Sequence, residues 1–413
     1  MSANANPADA ASGAGGRTDR VPELGCRVID SLAGVPADDW NRLAGTEQPF
    51  LRHEFLAALE QTGCVGEGTG WYPRHLLFYA GERLVAAAPM YLKTHSYGEF
   101  VFDWSWAEAY ARAGMDYYPK LVAAIPFTPV TGPRLLLDPH LPAGPVRGAA
   151  ASTAMEIARR VKASSVHWLF TDAAETSALA PAGYILRAGC QFHWRNPGFR
   201  DFDDFLDSLR SKKRKQIRRE RREAAQSGLE IELLTGADLS DAQCDAYHDL
   251  YSSTYDRKWG YPSLTRAFFR TIRQTLGDAL VIVLAKNRGR YVAGAHLLQG
   301  QRRLFGRNWG RSEYHPCVHF EVCYYAPMEY CIARGLAVFE AGAQGEHKLS
   351  RGFLPVATWS AHGIRNPEFR RAVADFTRRE QATIRAYMEE AARHSPFRRG
   401  AAADGGIDAV PFR

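Results

Sequence analysis

No window of the chain approaches the roughly 18 to 20 uninterrupted apolar residues that a membrane-spanning helix needs, so it is not expected to span a bilayer. There is no CxxC pair. The seven cysteines (Cys26, Cys64, Cys190, Cys244, Cys317, Cys323 and Cys331) are scattered and odd in number, which argues against a disulfide frame or a cysteine-built zinc site and predicts reduced, mostly buried thiols. No histidine pair has metal-ligand spacing such as HExxH, and no metal is expected. The start, MSANANPADAASGAGGRTDR, lacks both a basic n-region and an apolar h-region. It reads as a disordered leader over residues 1–22 rather than a secretion signal, which places the chain in the cytoplasm.

What is present suits a soluble globular protein: 413 residues, 46% hydrophobic and 23% charged, long enough for two domains. The net charge of +7 is unevenly spread. RSKKRKQIRRERR, residues 210–222, holds nine basic residues against one Glu. Such a stretch is either a solvated helix face or a dock for a phosphate-bearing partner, with Arg214, Lys215 and Arg218 as the phosphate contacts.

The two halves repeat one pattern. HLLFYAGERLVAAAPMYLK (75–93) reads strand, glycine turn, strand, and GEFVFDWSW (98–106) reads as a third strand ending in aromatics. LVIVLAKNRGRYVAGAHLLQG (280–300) and RRLFGRNWG (302–310) repeat it. Each half then continues into a helical candidate and a strand: YYPKLVAAI before GPRLLLD in the first, HFEVCYYAPMEYCIARG before LAVFEAG in the second. A long helix near residues 146–163 leads into the strand SVHWLF, so each half is expected to be a mixed α/β sheet. The boundary is placed near residue 200, giving domains 23–200 and 201–395 and a flexible tail 396–413. Residues 366–393 read as an amphipathic helix with Asn366 as N-cap and Pro367 in the first turn.

The stretches from FDWSWAEAY to TGPRLL, CQFHWRN, SKKRKQIRRERR, TYDRKWG and HFEVCYYAPMEYCIARGLAVFEAGAQGEHKLSRGF together resemble the bacterial FemAB-like family, peptidoglycan biosynthesis or recognition proteins of the GNAT acyltransferase superfamily, over about residues 40 to 390. The resemblance implies two tandem GNAT-like (acetyltransferase-like) domains and acyl transfer to an amine. Better-known relatives move an amino acid from aminoacyl-tRNA onto an amine of a peptidoglycan precursor, and the superfamily at large uses acyl-CoA. The implied co-substrate is therefore acyl-CoA or aminoacyl-tRNA, and the implied acceptor a small molecule or cell-wall precursor. Those relatives often carry a long helical hairpin thought to help hold tRNA, and no stretch here has the length or heptad pattern of one. The donor stays open, as does a non-catalytic binder of cell-wall precursor or nucleic acid. The sequence assigns no oligomeric state.

Acyl transfer to an amine needs the amine neutral, a donor group to steady the oxyanion and an outlet for the proton. GAQGEHKLSRGF (342–353), directly after AVFE, supplies such groups. Glu346 is the first candidate for general base and His347 the second, with Gln344 and Lys348 polarising or binding the donor and Arg351 holding an anion. The same charges can instead form a salt-bridged loop in which Glu346 pairs with Lys348 or Arg351. On the preceding helix, His319 and Tyr325 are ligand candidates, and Glu321 is a catalytic candidate that would equally favour the helix dipole. RNWGRS (307–312) resembles the superfamily's R/Q-x-x-G-x-G/A pyrophosphate loop, with Ser312 in place of the last Gly or Ala, which makes Arg307 and Trp309 candidates. In the first half Asp103 and Trp106 stand among aromatics. Strand alternation from Glu99 would put Phe100, Phe102 and Trp104 on one face and leave Asp103 most in need of a polar partner. TYDRKWGYP (254–262) adds Tyr255, Lys258 and Trp259.

Overall fold

The computed structural model describes residues 23–256, 261–343, 345–398 and 400. Its strands are β1 (Gly25–Ile29), β2 (Trp71–Pro73), β3 (His75–Ala80), β4 (Arg83–Ala88), β5 (Met90–Lys93), β6 (Lys120–Ala123), β7 (Leu136–Leu137), β8 (Ser165–Thr171) and β9 (Ile185–Arg195) in the first half. The second half contributes β10 (Glu230–Thr235), β11 (Leu280–Asn287), β12 (Arg290–Gln299), β13 (Arg303–Arg311), β14 (Val338–Glu340) and β15 (Leu354–Ile364). They form a four-stranded sheet, β1-β3-β4-β7, and an eleven-stranded sheet, β10-β11-β12-β13-β14-β9-β15-β8-β6-β5-β2.

The duplication is explicit in the pairing. In the second half β10 to β13 pair antiparallel in sequence order, and β14 then joins β13 in parallel after a helical crossover from Val318 to Ala333. In the first half β1, β3 and β4 pair antiparallel, β5 pairs with β6, and β8 joins β6 in parallel after the helix Ala143–Arg160. The first-half series is split at Pro89, which has no N–H to donate to a ladder, so β4 and β5 fall into different sheets. This is the tandem, mixed α/β arrangement that the resemblance implies.

The two units are joined by crossed strands. β9, which ends the first half, lies between β14 and β15, while β15 lies between β9 and β8 of the first half. The β9–β15 ladder runs from Leu354↔His193 to His362↔Ile185. Aromatic edges add to the junction: Phe50 meets Phe305 at 5.4 Å and Phe55 meets Phe268 at 5.5 Å between ring centroids. The helix Pro367–Arg393 covers β9 and β15, and its Asn366 cap accepts from the N–H groups of Glu368 and Phe369 at 2.9 and 3.1 Å.

Two local expectations differ from the structure. Residues 98–103 form no strand, and the helix Trp104–Arg112 follows. Glu99 and Asp103 both turn inward to the buried Lys120, 2.8 and 2.5 Å from its Nζ, which bends the backbone and puts Phe100 at φ 61°. YYPKLVAAI is not helical: Lys120–Ala123 is the fully buried strand β6, an apolar run too short for periodicity to separate strand from helix.

Candidate active site

β13 and β14 stay paired for only three residues, Arg303↔Val338, Leu304↔Phe339 and Phe305↔Glu340. β13 then continues along β12 to Arg311, while β14 ends and the chain enters GAQGEHKLSRGF. The backbones are close where they part: a Cβ on Gly306 would lie 3.3 Å from the Ala341 Cα, and Gly342 turns at φ 81°. A register shift opposite His296/Leu297 throws Arg307 out of the ladder at this point.

Two cations flank the divergence. Arg307 donates to the carbonyl of Phe127 in the first half and lies 5.8 Å above the Phe50 ring. Burial pulls its guanidinium down to about 10. Lys348 is 1% exposed, and its Nζ donates to the Gly342 carbonyl at 2.7 Å. Burial lowers its ammonium to about 8. Among the described residues neither forms a salt bridge, although Glu340 acts on Arg307 from beyond ion-pair distance.

Beside them, aromatic and imidazole rings gather along the crossover helix. His319 meets Trp309 edge-on at 4.9 Å, Tyr324 at 5.5 Å and His347 at 6.0 Å. Burial, then His347, Arg351 and Lys348, bring His319 down to about 4. His347 is exposed, hydrogen-bonded to the Tyr324 hydroxyl at 2.9 Å, and is lowered by burial and by Arg351 and Lys348. It is therefore a neutral base at pH 7.

Other candidates are held elsewhere. Glu321 is bound by Arg221 at 2.8 and 3.1 Å, and Arg221 also holds Glu329 at 2.6 Å, so the carboxylate anchors a helix. Arg351 is saturated: it donates to both Glu220 oxygens, to Tyr325 and to the His347 carbonyl, and lies 3.4 Å over the Phe320 ring. Tyr325 is fully buried and donates to Glu220. Glu346 is exposed and accepts from Tyr387 at 3.0 Å on the outer side of its 3-10 turn. The basic helix, Ser211–Gln226, buries Ile217, Glu220 and Ala224, and of its basic residues Arg221 reaches inward to Glu321 and Glu329. Arg214 and Arg218 pair with Asp207 and Asp203 at 2.9 and 3.0 Å, and Lys215 is exposed.

In the first half Asp103 is locked to Lys120 and accepts from Tyr117 at 2.6 Å; burial opposes its charge, but Lys120 holds the carboxyl low. Trp106 is buried against His362, with the Arg187 guanidinium 5.1 Å above its ring. Tyr255 accepts from Tyr251 at 3.2 Å. Gln344, Lys258 and Trp259 lie outside the described residues.

The sequence reading missed a cavity of about 210 Å³ that reaches Ala343 of the loop and is walled by β9, β15 and residues 100–102. Its signal was present as polar alternation, Arg187, Gln191 and His193 on β9 and Thr358, Ser360 and His362 on β15, in strands otherwise rich in apolar residues. Among the described residues there is no cluster of His, Cys, Asp and Glu that could hold a metal, and no helix long and apolar enough to cross a membrane.

Comparison with known proteins gives no match among curated sequences. Solved structures with similar chain traces include FemX, 12% identical over 78% of this chain and 93% of that one, TM-score 0.48. L-PGS from Bacillus licheniformis is 12% identical over 77% and 94%, TM-score 0.47. A tandem GNAT protein from the clavulanic acid biosynthesis pathway is 13% identical over 84% and 99%, TM-score 0.45. The model of the FemAB-like family, described as peptidoglycan biosynthesis/recognition, matches residues 31–399, and the chain belongs to that family.

Proposed function

We propose that the chain is an N-acyltransferase that moves an acyl or aminoacyl group from a phosphate-bearing donor, acyl-CoA or aminoacyl-tRNA, to an amine, with a peptidoglycan precursor as the acceptor class. The observation that carries this is a pair of cations, Arg307 and Lys348, that form no salt bridge among the described residues and stand on either side of the β13/β14 divergence. A buried charge without a partner is costly, and an anionic ligand relieves that cost.

In the reaction the amine lone pair attacks the acyl carbon, a C–N bond forms, and the C–S or C–O bond to the donor breaks. Lys348 is the cation placed to steady the oxyanion or donor. His347 is a better base than Glu346, because it is neutral and belongs to the ring cluster of His319 and Tyr324, whereas Glu346 is held outward by Tyr387. The amine proton ends on the released thiol or hydroxyl, or in solvent.

The test is to incubate the protein with acetyl-CoA, longer acyl-CoAs and aminoacyl-tRNAs plus amine acceptors. Donor binding is read by thermal shift and product by mass spectrometry. One donor class should bind and turn over, and Lys348→Met should lose turnover while staying folded. Unchanged turnover in that variant removes Lys348 from the mechanism, and no donor binding at all rejects the function.

A further inference from the structure

The cavity between the units has an unusual rim. Six non-glycine residues among those described have positive φ, and three are phenylalanines near this junction: Phe100 (61°), Phe127 (58°) and Phe170 (56°). Bulky residues rarely hold this conformation, and such strain gathers at functional sites. Phe100 and Phe170 line the cavity, and Phe127 donates its N–H to Gly98 at 3.2 Å while its carbonyl takes Arg307. Phe102 stands 58% exposed in the same wall. Among the described residues that line it there is no unpaired carboxylate: Arg187 and Glu380 neutralise each other through two hydrogen bonds of 2.7 and 2.8 Å.

Ser360 also lines this cavity, and a hydrogen-bonded chain runs from it through the sheet. Ser360 Oγ meets His362 Nε2 at 2.9 Å, His362 Nδ1 meets His167 Nδ1 at 2.6 Å, and His167 Nε2 meets Ser165 Oγ at 2.7 Å. Ser165 Oγ meets Ser164 Oγ at 3.1 Å. Ser164 lines an open groove of about 550 Å³, together with Lys162 and Arg365.

The proton positions follow from the far end. Ser164 gives its hydroxyl proton to the Tyr117 carbonyl, which can only accept, so Ser165 donates to Ser164. His167 must then donate from Nε2 to Ser165. Tyr117 agrees: its hydroxyl proton goes to Asp103, so at 3.4 Å it too can only accept from His167 Nε2. A neutral His167 accepts at Nδ1, His362 donates from Nδ1, and Ser360 donates to His362 Nε2. Burial keeps both rings neutral, helped by Lys120 for His167 and by His167 for His362, so they pass a proton without retaining it. Every bond in the chain points away from the cavity, and Ser360 Oγ presents only lone pairs to it.

We propose that this cavity is an acceptor pocket that takes a hydrogen-bond donor of the amine class at Ser360, and that Ser360, His362, His167, Ser165 and Ser164 form an outward proton path to the far groove. Bound as the alkylammonium, the amine passes one N–H proton to Ser360 and is left as the neutral amine; each hydroxyl or ring proton shifts one place along, and Ser164 turns from the Tyr117 carbonyl to release one proton to the groove, with every protein group neutral before and after. The label "acceptor" rests on the acyl transfer proposed above; the pocket and the path do not require a donor to be known.

The experiment is 15N NMR on histidine-labelled full chain at pH 7, with n-propylamine as the probe. Support is a His362 that carries its proton on Nδ1, a His167 that carries it on Nε2, and a shift of the His362 signals on adding the amine that is lost in Ser360→Ala and weakened in the surface variant Phe102→Ser. The opposite tautomers, charged rings, no response to the amine, or the same response in a folded Ser360→Ala overturns the proposal. Amine binding with the stated tautomers but no transfer from any donor rejects the acyltransferase function alone.

Discussion

Glu220 meets Arg351 with both carboxylate oxygens, 3.1 Å from Nε and 2.8 Å from Nη2, and so fastens the basic helix to the loop after β14. The one acid in a run of nine basic residues is the group that faces the candidate site. Glu220→Gln leaves Arg351 buried without a counter-charge. Both side chains are less than a tenth exposed, so the cost should be about 3 kcal/mol or more by urea unfolding. Glu220→Gln combined with Arg351→Met should lose less than the sum of the two single variants, because the unpaired charge is then gone.

Lys348 makes stability depend on alkaline pH. Its folded value is near 8 against an ordinary 10.5, so between these limits the unfolded chain binds the extra proton and the folded chain does not. Stability contributed by this site therefore rises as pH increases from 8 to 10. Wild type should gain on the order of 2 kcal/mol over that interval relative to Lys348→Met, read as the difference in urea midpoints of the two proteins. Parallel curves would mean that Lys348 is not desolvated.

The duplicated α/β plan was legible because strand runs, glycine turns and crossover helices are local patterns, and β11, β12 and β14 sit where those patterns put them. The exchange of β9 and β15 was not, because pairing partners far apart in sequence leave no local mark. In the site, Lys348 was legible as a charge beside a buried strand. Glu321, Arg351 and Tyr325 looked equally functional, and only the partners Arg221 and Glu220, a hundred or more residues away, show that they are tied into ion pairs and hydrogen bonds within the fold. Asp103 was rightly read as needing a polar partner, although the expected strand around it does not form.

That partner, Lys120, is fully buried between Glu99 and Asp103. Lys120→Met strands two carboxylates in the core and should cost about 3 to 5 kcal/mol near pH 8. With the ammonium gone, burial and mutual repulsion raise both carboxyls, so the folded state holds protons that the unfolded state releases. The variant should therefore recover stability as pH falls from 8 toward 5, with wild type changing less over the same interval. Thermal unfolding of both proteins across that range measures it.

The outward face of the basic helix carries the exposed Lys212, Lys215, Arg219 and Arg222, and it separates the two donor classes. A long polyanion reaches across such a face by releasing counterions, whereas a small coenzyme held at Arg307 and Lys348 does not. Reversing Lys215, Arg219 and Arg222 to Glu should weaken aminoacyl-tRNA binding and make the plot of log K against log salt shallower by about 2 to 3 units, leaving acyl-CoA binding unchanged. Glu220 and Ile217 hold the helix from its other side, so circular dichroism and melting temperature should stay close to wild type. Equal salt dependence in the variant and wild type would make this face a solvated surface and leave acyl-CoA as the donor to pursue.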